Sequence, residues 1–130
     1  MTPNGLVLWP SVHSVEETVS RLTTAVTDRG MEVLAIIDHS AAARSVGLEL
    51  LPTIVLVFGN PAVGTLVMQT SETIALDLPL RTLVWQRANG ETSIACTDTA
   101  WLAQRHGAEV SEAVTRMAEA LAASVTQASG

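Results

Sequence analysis

The strongest constraint on the fold is the Asn89-Gly90 pair, which sits between two strand-like runs. Asn-Gly supplies the two positive-φ residues of a tight hairpin turn. It therefore predicts Arg81–Arg87 and Thr92–Thr97 as antiparallel neighbours. A hairpin alone cannot bury its apolar side, so the rest of the chain must cover one face of the sheet it belongs to.

Helices supply that cover. Ser14-Val15-Glu16-Glu17 is a capping box, with the Ser14 hydroxyl and the Glu17 carboxylate exchanging bonds with each other's backbone N–H. Val15, Val19, Leu22 and Val26 follow at helical spacing on one face. Gly30 then stops the helix after Arg29. Leu6–Trp9, between Gly5 and Pro10, reads as a first strand. Glu32–Ile37 reads as a second, and its unbroken apolar character suggests burial on both faces. Ser40–Arg44 favours a short helix closed by Gly47.

Pro52-Thr53 opens a third strand, Ile54–Phe58, because proline is tolerated at a strand start. Gly59-Asn60-Pro61 ends it as a turn. Ala62–Thr70 reads as a helix weakened by Gly64, and Ile74–Pro79 as extended or irregular. Asp98 is placed to cap a helix over Thr99–Arg105. A last helix is expected from Glu109 to about Val125, with Val110, Val114, Met117, Leu121 and Val125 on one face. Residues 126–130 are expected to fray. The whole reads as one α+β domain over residues 1–130, a two-layer sandwich. Its helices lie on one face of a mostly antiparallel or mixed sheet of about five strands.

Charge narrows the partners. Lys+Arg is 7 and Asp+Glu is 13, for a net charge of −6. Such a domain repels phosphate backbones and anionic membrane surfaces, so neither nucleic acid nor membrane is an expected partner. The apolar run near the N-terminus is too short for a signal peptide, and no stretch approaches the ~20 residues that span a bilayer. The single cysteine, Cys96, excludes an intrachain disulfide. A reducing, cytoplasmic setting is the expectation.

Several segments together carry a resemblance. They are Ile36-Ile37-Asp38-His39; Gly47-Leu48-Glu49-Leu50 before Pro52-Thr53; and Val57–Pro61 with Gly64-Thr65. Ala75–Leu80, Leu83-Val84-Trp85, Leu102-Ala103 and Arg105-His106-Gly107 follow in order. The series resembles the family called domain of unknown function 302, over about Val12 to Gly107. The resemblance implies a compact two-layer α/β sandwich and a dimer, and it implies no established activity. The family's Tyr-Asn-Asp-Pro stretch is matched here by Cys96-Thr97-Asp98-Thr99, where only the aspartate is kept.

Six polar residues are candidates for a site: Asp38, His39, Asn60, Asp77, Asp98 and His106. Asp38-His39 ends a strand, where loops carry function, and histidine suits acid–base chemistry. Adjacent strand residues point to opposite faces, so Asp38 is poorly placed to orient His39. A partner for it is expected from Asp77 or Asp98. Each candidate also has a structural role open to it. Asp38 can cap the helix that follows it, and His39 can satisfy buried backbone groups. Asn60 can close its own turn, and Asp77 can pair with Arg81 or Arg44. His106 can complement a helix C-terminus. His13, His39 and His106 lack ligand spacing, so no metal is expected, and the cofactor is unspecified. Cys96 reads as a small buried hydrophobe. Trp9, Trp85 and Trp101 are expected in the core or an interface.

Two functions remain open. The preferred one is a homodimeric module that binds a small ligand or a partner protein, with one apolar pocket. The alternative is a small enzyme, with His39 or His106 as the acid–base group and Asp38, Asp77 or Asp98 beside it.

Overall fold

The computed structural model describes residues 4–130. The chain runs through β1 (Leu6–Ser11), α1 (Val15–Asp28), β2 (Glu32–Asp38) and α2 (His39–Ser45). It continues through β3 (Thr53–Gly59), α3 (Pro61–Thr70) and a 3₁₀ turn at Glu72–Leu76. It ends with β4 (Leu80–Gln86), β5 (Thr92–Thr97), α4 (Thr99–Arg105) and α5 (Glu112–Ser129). The five strands form one sheet in the order β1-β5-β4-β3-β2, and every pairing is antiparallel. The fold is thus an α+β two-layer sandwich. The mixed alternative falls away, because each chain reversal lays a strand antiparallel to its neighbour.

The hairpin forms where Asn89-Gly90 predicts it, with Gln86 opposite Thr92. Of the pair only Gly90 has a positive φ, 89°, so the turn is not the two-residue one but a five-residue loop over residues 87–91, and the Asn89 side chain accepts from the Glu91 N–H at 3.0 Å. The inward positions of the central strands are Leu56 and Phe58 on β3, Leu80 and Val84 on β4, and Ile94 and Cys96 on β5. All are buried, and they pack against Leu22 and Val26 of α1 and Leu121 and Val125 of α5. At about 1.5–3 kcal/mol for each large apolar side chain, this layer supplies the main driving force.

Local capping sets the helix starts. Ser14 Oγ accepts from the Glu17 N–H at 3.1 Å. Ser111 Oγ accepts from the Val114 N–H at 3.3 Å, so α5 begins at Glu112 and not at Glu109. Val110 lies before the helix and is exposed. At the far end, residues 126–130 are not a frayed tail. The helix continues to Ser129, Ala128 is fully buried, and the Ser129 carbonyl accepts from the Val12 N–H at 3.0 Å.

Two further expectations are corrected. β2 is an edge strand, not one buried on both faces, and Leu34 and Ile36 are both 54% exposed. Its register shifts between Val33 and Ala35. The stretch at Ile74–Pro79 is not extended at its start, because the 3₁₀ turn occupies Glu72–Leu76.

The face of the sheet opposite α1 and α5 is largely apolar, buried at Val57 and Ala95 in its middle and exposed toward its margins. Alternation from the buried inward positions directs Leu6 and Leu8 of β1, Leu83 and Trp85 of β4, Val55 of β3 and Ile37 of β2 toward it. Leu8 is 54% exposed there, and Leu6 and Ile37 are each 41% exposed.

Candidate functional site

The six candidates are scattered through the fold, and the structure gives four of them capping work. Asp38 is the N-cap of α2. Its Oδ1 accepts from the Ala41 N–H at 2.9 Å and from the Ser40 hydroxyl at 2.6 Å. Those two donors hold its carboxyl below the usual carboxylate range. Ser40 Oγ also accepts from the Thr53 N–H, tying α2 to the start of β3. His39 is the first residue of α2 and is exposed, so it does not satisfy buried backbone groups. Asn60 caps α3, its Oδ1 accepting from the Ala62 and Val63 N–H groups. Asp98 caps α4 through the Ala100 N–H at 2.8 Å. Its backbone N–H reaches the Gly5 carbonyl.

Asp77 and His106 do meet. His106 caps the C-terminus of α4, and its side chain is only 7% exposed. Nε2 lies 2.5 Å from Asp77 Oδ2, and Nδ1 lies 2.9 Å from Thr73 Oγ1. Arg105 Nη1 donates to the same Asp77 oxygen at 2.6 Å. The His106 hydrogen bond, with the Arg105 guanidinium beside it, holds the Asp77 carboxyl below the usual range. Neither Arg81 nor Arg44 is the cation partner of Asp77. The neighbours of His106 in sequence and space serve instead. Ser71 Oγ adds a bond to the His106 carbonyl at 3.0 Å. With both imidazole nitrogens engaged, the cluster joins the end of α4 to the 3₁₀ turn as a clamp.

Among the described residues, no group of three His, Cys, Asp or Glu side chains is placed to hold a metal. Burial, with Asp98 nearby, pushes the Cys96 thiol up to about 12, so it stays protonated and unreactive at neutral pH.

A cavity lies elsewhere in the fold. A pocket of about 330 Å³ opens between α3, α5, the edge of β2 and the Leu78–Leu80 segment. The clamp bears on it indirectly, because Asp77 directly precedes Leu78 and Pro79, which form one wall. Gly59 lies against that wall, where a Cβ would sit in ordinary contact with Pro79 Cβ at 3.4 Å. Met31, Met68 and Met117 all line the pocket, three of the chain's four methionines. Methionine packs adaptably around varied apolar shapes. Of the sequence candidates only Asn60 reaches this site. The others were singled out for polarity, whereas the pocket is built mainly from apolar residues spread from 29 to 120. The methionines are the signal that was there to be read.

The residues that form this sandwich match a family model, "Domain of unknown function DUF302", over residues 9–124. The chain belongs to the DUF302 family. A crystal structure of an uncharacterised conserved DUF302 protein from Bacillus stearothermophilus has the same fold. Its TM-score is 0.86 at 21% identity, over 95% of this chain and 98% of that one. Two curated relatives are named fluoride-specific ion channel FluC 1, from Brucella suis biovar 1 and Brucella abortus biovar 1. Each is 45% identical over 111 residues, covering 85% of this chain. The chain spans 44% and 41% of their respective lengths, less than half of each. Among the described residues no helix is long and apolar enough to cross a membrane.

Proposed function

We propose that this DUF302 domain is a non-catalytic binding module that takes a small ligand with an apolar body and works as a homodimer. The methionine-lined pocket carries the ligand reading. Its 330 Å³ falls at the lower end of the range of small-molecule sites, about 300–1,000 Å³. An uncharged fluorescent apolar probe, N-phenyl-1-naphthylamine, tests it. Binding is expected in the wild type and is expected to be lost in Gly64→Leu, which places a side chain in the pocket. Equal binding by that variant, with its circular dichroism unchanged, contradicts the reading.

The apolar sheet face supports pairing with a second copy. Five strands at about 4.8 Å spacing and about 20 Å long give a footprint of about 480 Å². Two copies face to face then bury close to the ~1,000 Å² expected of a specific interface. The outward positions of the five strands carry two charges, Arg81 on β4 and Glu32 on β2, of opposite sign, so a copy meets little repulsion. Sedimentation at micromolar concentration is expected to give a dimer, and Leu8→Glu a folded monomer. A wild-type monomer contradicts the pairing.

The enzyme alternative draws on the Asp77–His106 contact. That contact lies outside the pocket and is closed by Thr73 and Arg105, which favours the clamp. The Brucella relatives bear on partners. A channel must cross a membrane, and the stretch they share with this chain forms no helix that does so. In those proteins the matched part is therefore read as a binding domain beside the channel, not the pore. A partner protein for this chain in a cytoplasmic setting fits the same reading.

A further inference from the structure

The pocket has charge of one sign only. Arg29, which caps the C-terminus of α1, and Arg116, on α5, both line it, and no carboxylate does. This is unexpected in a chain of 7 cations and 13 acids. Arg29 is tethered, with Nη1 donating to the Ala25 carbonyl at 2.9 Å and to Gln127 Oε1 at 2.8 Å. Arg116 forms no hydrogen bond or ion pair with any described residue, although Glu112 and Glu119 stand four before and three after it on the same helix. A third donor completes the polar side. Asn60 uses Oδ1 to cap α3, which leaves its Nδ2 group to donate.

We infer that the pocket binds a short amphipathic anion: a carboxylate carried on an aliphatic body. This rests on the ligand-binding reading above and names the ligand's chemistry. Arg116 pairs the carboxylate, and the aliphatic body lies among Met31, Met68 and Met117. A pocket of about 330 Å³ that opens to solvent has room for a short aliphatic chain, and an eight-carbon acid serves as its representative. Guanidinium suits the head group, since its fork of N–H donors fits a carboxylate in two bonds.

The test is displacement of bound N-phenyl-1-naphthylamine by octanoate, 1-octanol and octylammonium. It is run in the wild type and in Arg116→Gln. The three competitors share one tail and differ only in head-group charge. Octanoate is expected to compete about 5- to 10-fold more tightly than octanol, the latter ratio being worth about 1.4 kcal/mol. Octylammonium is expected to be weakest. In Arg116→Gln the advantage of octanoate over octanol should fall below about 2-fold. Arg116 is exposed and unpaired, so the thermal midpoint should not move. Octanol matching octanoate in the wild type, or the full advantage surviving in Arg116→Gln, overturns the anion assignment while the pocket stands. Failure of the neutral probe to bind overturns the pocket itself, and the anion assignment with it.

Discussion

Replacing Asp77 by asparagine isolates the charge in the clamp while keeping its shape. In the wild type one carboxylate oxygen takes the His106 imidazole at 2.5 Å and the Arg105 guanidinium at 2.6 Å. The two contacts differ in worth. Arg105 is 47% exposed, and exposed ion pairs contribute about 0–1 kcal/mol. His106 is 7% exposed, and a hydrogen bond to a charged group contributes about 1.5–3 kcal/mol, roughly twice a neutral one. Asparagine keeps a neutral acceptor, so Asp77→Asn is expected to cost about 1–2 kcal/mol at pH 7 by urea unfolding. The pH dependence has a definite sign. The Asp77 carboxyl is held below its ordinary value, so its stabilisation is complete above about pH 4, its unfolded value. That stabilisation is lost as pH falls through the lowered folded value. The difference between wild type and variant should therefore be full at pH 7 and shrink as pH falls through the lowered folded value. A variant as stable as wild type at pH 7, or a difference that stays constant into acid, refutes the clamp.

Two further predictions concern buried positions. Gly64 lies inside α3 without a positive φ, and a Cβ there would meet only Met68 Cε at 3.9 Å. Gly64→Ala should therefore raise stability by about 0.5–1 kcal/mol in chemical denaturation, and a loss would show that the helix needs the glycine. Thr82 is fully buried between inward apolar neighbours, and its hydroxyl has no partner among the described residues. Thr82→Val should be neutral or stabilising by about 1 kcal/mol, whereas a cost of that size would reveal a bond to the hydroxyl.

What could be read from the residues was mostly local. Asn89-Gly90 marks its hairpin because Gly90 supplies the one positive φ of the turn and the Asn89 side chain closes on the Glu91 N–H. Ser14, Asp38 and Asp98 cap helices because a short side chain reaches an N–H two or three residues on. Positions that depend on distant partners were opaque. Glu32–Ile37 has the composition of a central strand, yet nothing in it records that β2 has a neighbour on one side alone. Asp77 and His106 were singled out separately, but 29 residues part them and only the folded chain joins them. The pocket lies furthest from sequence reasoning. Arg116 looks like any solvated helix charge until Arg29 and the methionines are brought beside it.

The two margins of the sheet say how such a domain can assemble. One margin, β1, contains Pro10, which has no N–H to offer an added strand. The other, β2, is kinked by its register shift at Val33–Ala35 and is flanked by Glu32 and Asp38. Both therefore resist the strand-on-strand growth that turns open sheets into fibres. The face-to-face pairing proposed above uses neither margin, because it covers the apolar faces instead. The edge strand that looked like core thus guards the sheet against open-ended growth.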